Sequence, residues 1–170
     1  MEPFLLKIAY LFLVASHVAG AIDYHVYKDT DGDEVLDVPV YPANTASRPA
    51  QKRSTTDSPM CSFNYGLAHV QETPVNIQHL KDVENVTCAV PVDSCARVSN
   101  SNLSSIFVCN YGSTSIRTKC GNLVEPAEKV FSACKLCDYY NYGYVEQTII
   151  DGTATSTYTL ALGGEFPNSA

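Results

Sequence analysis

The spacing of apolar residues along the chain predicts two helices. Thr73-Pro74 supplies an N-cap followed by proline at the first helical position, and apolar side chains recur behind it at Ile77, Leu80 and Val83. We therefore expect a first helix over residues 74–84. A stronger pattern lies in NLVEPAEKVFSACK, residues 122–135, where one helical stripe is apolar: Leu123, Ala127, Val130, Phe131 and Cys134. Cys134 should face the core or the sheet, where a bridge to a strand would hold the helix in place.

Strand-forming runs surround the two helices. Alternating apolar side chains in SFNYGLAHVQ predict a strand within residues 62–71. The polar turn Ser101–Ser104 and the Asp151-Gly152 pair each separate two strand-like runs, and Asp-Gly is a hairpin signal because both residues tolerate a positive φ. These runs occupy residues 86–99, 105–110, 143–150 and 153–162.

Residue parity divides the side chains of these strands between two faces. Cys95 and Cys109 share one parity near each other across the turn, where they either bridge directly or reach to other elements. The opposite parity forms the core face, with Ala96, Val98, Ile106 and Val108 on the first pair of strands and Tyr158, Leu160 and Leu162 on the last strand. The order of elements predicts an α+β domain in which two helices pack on one face of an antiparallel sheet stapled by disulfides.

The N-terminal part of the chain carries processing signals. Residues 1–21 contain a short apolar run followed by Ala19-Gly20-Ala21, the form that a signal peptidase accepts, so we expect a cleaved signal peptide. Residues 22–53 are acidic, lack cysteine and end in the dibasic Lys52-Arg53. They predict a disordered propeptide removed by a kexin-type protease, with a solvated linker as the alternative. Residues 54–170 then form a single cysteine-rich domain of a secreted, extracellular protein.

Charge and the absence of catalytic patterns narrow the function classes. Residues 54–170 carry six basic and eleven acidic side chains, a net charge of −5. An acidic surface does not favour nucleic acid or anionic lipid headgroups, so we expect no nucleic acid partner and regard membrane binding as disfavoured. His69 and His79 have no spacing that requires them to converge with a carboxylate. We predict no catalytic site, cofactor or metal.

Other local patterns have plain structural explanations. The CxxC formed by Cys134 and Cys137 follows a helix instead of preceding one, which favours structural disulfides over a redox pair. Asp29–Asp33 is similar to a calcium loop but lacks the glycine and glutamate at the required positions, so we expect a solvated acidic stretch. Asn85 and Asn102 begin sequons that a secreted chain can glycosylate, and Asn102 should lie at a hairpin tip.

Seven cysteines cannot all pair within one molecule. They are Cys61, Cys88, Cys95, Cys109, Cys120, Cys134 and Cys137.

The run CARVSNSNLSSIFVCN, preceded by CAVPVDSC and followed by an amphipathic helix that ends in cysteine, resembles small secreted cysteine-rich proteins of filamentous fungi. Many of these are candidate effectors of plant pathogens, and several are similar in fold to the α/β-sandwich of the smut killer toxins, which are also released by kexin cleavage. The resemblance covers residues 88–162. It implies a ferredoxin-like or killer-toxin-like sandwich and a secreted effector that acts by binding.

One departure from the family pattern bears on the odd cysteine. The relatives often read C-x-R-V-S-C in the hairpin, and here Asn100 stands at the last of these positions. The cysteine that would have paired there is a candidate for the unpaired thiol, and Cys61 and Cys137 are the most accessible. A leftover thiol in a secreted protein suggests a bond to another chain, such as a second effector. A buried, inert thiol is the alternative.

A tyrosine-rich run after the second helix is the best candidate for a partner-binding surface. Large amphipathic side chains are enriched at interface hot spots, and the run contains Tyr139, Tyr140, Tyr142 and Tyr144. The alternative is that alternate tyrosines cover the sheet edge. We therefore expect a fungal virulence or avirulence effector that binds a host or fungal protein, with later delivery into host cells left open. A membrane-active killer toxin and a secreted enzyme or enzyme inhibitor are the alternative functions.

Overall fold

The structure is a computed structural model that describes residues 24–43, 57–151 and 154–164. The expected signal peptide and Lys52-Arg53 lie outside these residues. The described chain is a mixed α/β fold of mostly antiparallel sheets with two helices and three disulfides. In chain order the strands and helices are β1 (His25–Lys28), β2 (Glu34–Asp37), β3 (Val40–Pro42), β4 (Ala68–His69), α1 (Thr73–Asp82), β5 (Thr87–Val90), β6 (Ser94–Ser101), β7 (Ser104–Asn110), β8 (Ile116–Lys119), α2 (Val124–Ala133), β9 (Lys135–Leu136), β10 (Tyr140–Asn141), β11 (Gly143–Asp151) and β12 (Ala154–Gly163).

The largest sheet has five antiparallel strands in the order β11-β12-β7-β6-β3. One face of this sheet points away from the two helices. It buries a smaller cluster that includes Cys95, Phe107 and Cys109, as their parity predicts. The face that packs against both helices carries Ala96, Val98, Ile106, Val108, Val145, Tyr158, Leu160 and Leu162. Every core residue predicted on these strands is therefore confirmed.

Both helices lie close to their predicted positions. α1 does not use Thr73 as its N-cap; the Thr73 hydroxyl instead donates to the carbonyl of His69 at 3.1 Å, and Glu72 stands at the N-cap position. A 3-10 turn, Cys120–Leu123, leads into α2. The predicted stripes are buried except for Phe131, which is half-buried: Ile77, Leu80 and Val83 for the first helix and Leu123, Ala127, Val130 and Cys134 for the second. Neither of these helices is long and apolar enough to cross a membrane.

The single strand predicted over residues 86–99 is wrong, because the chain turns between β5 and β6. Pro91 has no N–H to offer a ladder, and Asp93 adopts a φ of 49°, so the extended conformation is interrupted. β5 joins a second sheet, in the order β1-β2-β5-β8. Within it β2 and β5 run parallel, with Val35 opposite Thr87.

Residues 24–43, predicted to be disordered, form β1, β2 and β3. The prediction followed from their acidic composition, since such segments rarely bury enough apolar surface to fold. Here Val35 and Leu36 are only 1% and 3% exposed, and Leu36 belongs to the main core. Because the rest of the domain supplies that core, a few apolar residues are enough to order the segment. Its removal by a protease stays a prediction.

The strand predicted within residues 62–71 is wrong for most of its length. Residues Phe63–Tyr65 form a 3-10 turn, and the short β4 is all that remains of the strand. The Ser62 hydroxyl accepts a hydrogen bond from the N–H of Asn64, and Gly66 takes a φ of 76°. Local capping of this kind competes with the ladder of a sheet.

Three disulfides tie different elements together and use six of the seven cysteines: Cys61–Cys134, Cys88–Cys120 and Cys95–Cys109. Of the two arrangements open to the β6–β7 hairpin, the direct bridge is the one formed. Cys134 does hold the end of α2, but its partner Cys61 lies outside the strands, so the expected bridge to a strand is not made. Cys137 is free and exposed.

The Cys61–Cys134 bridge should make the largest single disulfide contribution to stability. It spans 73 residues, and a cross-link closing so long a loop stabilises a domain by about 4 kcal/mol. Replacing both residues by alanine should lower the free energy of unfolding by about that amount in denaturant titrations without reductant. Cys137→Ser is the matched control and should leave stability within about 0.5 kcal/mol of the parent. A loss from Cys137→Ser as large as that of the double variant would contradict this pairing.

Candidate functional site

A small three-stranded sheet, ordered β4-β10-β9, presents one face to solvent. Tyr140 is paired with His69 on one side and with Leu136 on the other, so the three side chains lie side by side. Tyr140 and Leu136 are 39% and 38% exposed, and the rings of Tyr140 and His69 meet edge to face at 6.0 Å. The opposite face holds Ala68 and Asn141, both fully buried. The row formed by His69, Tyr140 and Leu136 is therefore the outer face of this sheet. Behind it, the sheet is packed at Ala68 and Asn141, whereas Lys135, opposite Asn141, is exposed.

The unpaired thiol lies in the turn of this hairpin. Cys137 has a φ of 53°, which lets the chain reverse between β9 and β10, and its side chain is exposed. Two residues later, Tyr139 is 64% exposed, the highest value among the large apolar and aromatic side chains of the described residues. We call Leu136, Cys137, Tyr139 and Tyr140 the thiol–tyrosine surface.

The other two predicted tyrosines occupy different positions. Tyr142 stacks on Phe63 with ring centroids 4.5 Å apart and an interplanar angle of 4°. In the sequence, Tyr142 follows the last residue of the thiol–tyrosine surface by two positions. Tyr144 is only 3% exposed and meets Tyr65 edge to face at 6.1 Å. Burial raises the pKa of Tyr144, and nearby Glu146 adds to the shift. Tyr144 therefore belongs to the core and is left out of the candidate surface.

The hairpin is held in place from behind by Asn141. Its Nδ2 donates to the carbonyls of Phe131 at 3.1 Å and Cys134 at 3.4 Å, at the C-terminal end of α2 where carbonyls lack helical partners. The N–H of Val70 donates to the carbonyl of Tyr139 at 2.8 Å and ties the turn to the strand beside it. Sequence analysis missed Asn141, because an asparagine among tyrosines is typical of a turn. The available signal was its position shortly after a predicted helix, because the last carbonyls of a helix need donors from nearby residues.

The predicted glycosylation tip lies beside this sheet. The carbonyl of Leu103 accepts a hydrogen bond from the N–H of His69 at 3.1 Å, which places the β6–β7 turn next to β4. Asn102 is exposed with a φ of 45°, and Leu103 is 62% exposed. A glycan on Asn102 would cover this border of the candidate surface. Asn85 is also exposed, after α1, and both modifications stay predictions.

His69 and His79 lie in different environments. His79 is 6% exposed, and its Nδ1 is 3.0 Å from the Ser99 hydroxyl, which itself donates to Oδ1 of Asn76 at 2.9 Å. Nδ1 must therefore donate, and Nε2 is a buried acceptor without a hydrogen-bond partner. A register shift in β6 after Arg97 turns Ser99 toward α1. His69 instead lies in the small β4-β10-β9 sheet. Among the described residues, no hydrogen bond links the ring of His69 to the ring of His79.

The remaining local patterns also take structural roles. Cys134 is bonded to Cys61, so the CxxC does not form a redox pair. In the Asp29–Asp33 loop, the side chains of Asp29 and Asp33 form ion pairs with Arg117. Across residues 24–43, 57–151 and 154–164, no group of three or more His, Cys, Asp or Glu side chains is placed to hold a metal ion.

No family model matches the chain, and neither a curated protein nor a solved structure matches it. A function must therefore be inferred from the surface and the fold that presents it.

Acidification should destabilise the fold through His79. Burial lowers the pKa of His79 from the ordinary 6.5, against the opposing effect of the Asp82 carboxylate. Below about pH 6.5 the unfolded chain binds a proton that the folded chain rejects. The stability contributed by the neutral ring is therefore complete above that pH and is lost as the pH falls toward the folded pKa.

Urea titrations between about pH 5 and about pH 7.5 measure this effect. His79→Asn keeps a donor toward Ser99 but cannot titrate, so its stability should fall less steeply with acidification than that of the parent chain. Carboxylates contribute the same background to both proteins. Parallel pH profiles would show that His79 is not the responsible group.

Proposed function

We propose that this protein is a secreted effector-type protein that acts by binding another protein through the thiol–tyrosine surface. The observation that carries the proposal is the exposure of Cys137 beside Tyr139 and Tyr140 on a hairpin that is fixed to α2. Tyrosines supply large contact areas with few torsions to immobilise, which is why they are enriched at interface hot spots. A free cysteine in an otherwise oxidised domain is available for a bond to a second chain.

The partner that fits this surface is a host or fungal protein, including a second effector, that presents an accessible disulfide. The Cys137 thiolate would attack one partner sulfur, form the new S–S bond and release the other partner sulfur as a thiolate. This exchange needs no separate oxidant. The tyrosines would provide the noncovalent contact that brings the two sulfurs together, so the covalent step follows recognition.

The finer fold and origin belong to the same proposal. Two helices on one face of an antiparallel sheet, together with three disulfides, support the killer-toxin-like sandwich and hence an effector of a plant-pathogenic fungus. The expected signal peptide, processing after Arg53 and glycans on Asn85 and Asn102 fit an extracellular protein. Clefts bounded by described residues have volumes of about 190, 290 and 240 Å³. The largest of these three, at about 290 Å³, is at the lower end of the roughly 300–1,000 Å³ of typical small-molecule sites.

Replacing the two exposed tyrosines should weaken partner binding. We expect Tyr139→Ala/Tyr140→Ala to lower affinity by about 30-fold or more, the effect of losing a hot spot. The immobilised protein is exposed to plant apoplastic fluid and to culture filtrate of the secreting organism, and bound proteins are identified by mass spectrometry. Val92→Ala, which truncates a 39% exposed apolar side chain elsewhere, is the matched control. The proposal fails if no captured protein is lost with the double variant and retained with the control.

Cys137→Ser should separate the covalent step from recognition. Proteins captured through the tyrosines should still bind this variant, but the band of higher mass on non-reducing gels should disappear, because no thiol remains for exchange. A parent protein that stays monomeric on these gels with every captured protein would exclude the covalent form of the proposal. Leakage of anionic liposomes caused by the purified protein would support the membrane-active alternative instead.

A further inference from the structure

The segment from Tyr24 to Ala43 is attached to the rest of the protein by strand pairing at two sheet edges. β2 pairs with β5 in the four-stranded sheet, and β3 pairs with β6 in the five-stranded sheet. Two further backbone bonds extend the second contact: the N–H of Arg97 donates to the carbonyl of Pro39 at 3.0 Å, and that of Ala43 to the carbonyl of Asp93 at 2.8 Å. Without this segment, β5 and β6 would each become an unpaired edge, a template for any extended chain.

Apolar side chains of the segment are buried in both cores. Leu36 is 3% exposed and belongs to the main core that includes both helices. Ala43, also 3% exposed, packs in the second cluster with Tyr65 and Phe107. Val35 is 1% exposed. Removing these aliphatic side chains from water stabilises the attachment, so the segment is held by more than hydrogen bonds.

Charge complements the apolar contact. The Asp29 carboxylate, 13% exposed, pairs with Arg117 of β8, which also lies 3.5 Å from Asp33. Partial burial opposes ionisation of Asp29, but hydrogen bonds from Arg117 and from the N–H groups of Asp33 and Asp31 outweigh it and lower the Asp29 pKa. The guanidinium of Arg97 lies over the ring of Tyr41 at 5.9 Å. An acidic segment is thus matched to basic side chains of the domain.

No covalent bond other than the chain itself holds this segment. Residues 22–53 contain no cysteine, so none of the three disulfides reaches it. Its sole covalent connection runs through residues 44–56, which include the dibasic Lys52-Arg53. A protease that cuts there would leave the strand pairing, the buried apolar residues and the ion pairs untouched.

We propose that residues 24–43 remain bound to the cysteine-rich domain after this cleavage, as a noncovalent second chain. The inference rests on the predicted processing and is independent of the thiol–tyrosine surface. The mature protein is then a two-chain complex, and the face formed by β5, β6 and Arg117 is a binding site for an extended acidic peptide seated by strand addition. The retained chain keeps both sheet edges capped, so cleavage does not expose them to aggregation.

The test uses the full secreted chain, digested to completion with a kexin-type protease. Size-exclusion chromatography under native conditions should show both fragments in one peak, and denaturant should separate them. Hydrogen exchange provides a second readout: the Arg97 amide, which donates to Pro39, should stay as protected as in the uncut chain. Elution of the N-terminal fragment alone, with faster exchange at Arg97, would overturn the inference. Resistance of the folded chain to the protease, when the denatured chain is cut, would instead refute the predicted processing.

Matched substitutions locate the binding energy. Leu36→Ala should weaken retention of the cut segment by roughly 30-fold or more, because it empties a core position. Val26→Ala, at a 39% exposed position on the outer strand β1, should leave retention within about threefold of the parent. Both variants are compared before cleavage to confirm that they fold. Equal retention of the two variants would show that Leu36 does not anchor the segment.

Discussion

The disulfide between Cys61 and Cys134 is the constraint on which the proposed surface depends. It joins the first described cysteine of the domain to the residue that follows α2, at a separation of 73 residues. By taking Cys134 it removes the nearest partner that Cys137 could have had, and the β9–β10 hairpin begins immediately afterwards. Cys137 therefore remains a free thiol because Cys134 is bonded to Cys61 and not to its neighbour within the CxxC.

Sequence patterns predicted the parts of the fold that depend on local periodicity. The stripe from Leu123 to Cys134 identified α2, and strand parity identified the two faces of the β6–β7 hairpin. Parity placed Cys95 near Cys109 but did not decide between a direct bridge and bonds to other elements; the structure shows the direct bridge. The failures lie where nonlocal contacts decide. The composition of residues 24–43 predicted disorder because the segment has too few apolar side chains to bury Leu36 by itself. The rest of the folded domain supplies the core in which Leu36 is buried.

The candidate surface was predictable in composition but not in detail. Four tyrosines in one short run indicated a contact region, yet Tyr144 turns into the core against Tyr65. Alternation along the chain could not show this, because Tyr144 belongs to β11 and not to β10, and the Tyr65 ring that it meets is distant in sequence. Asn141 illustrates the same limit, since its role as a donor to the end of α2 exists only in three dimensions.

A map of the cysteines tests the account most directly. Free thiols are alkylated in denaturant without reductant, the protein is digested, and linked peptides are identified by mass spectrometry. The account predicts label on Cys137 alone and linked peptides that report Cys61–Cys134, Cys88–Cys120 and Cys95–Cys109. A bridge between Cys134 and Cys137, or label on Cys61, would contradict it, because the thiol at the hairpin turn would no longer be free.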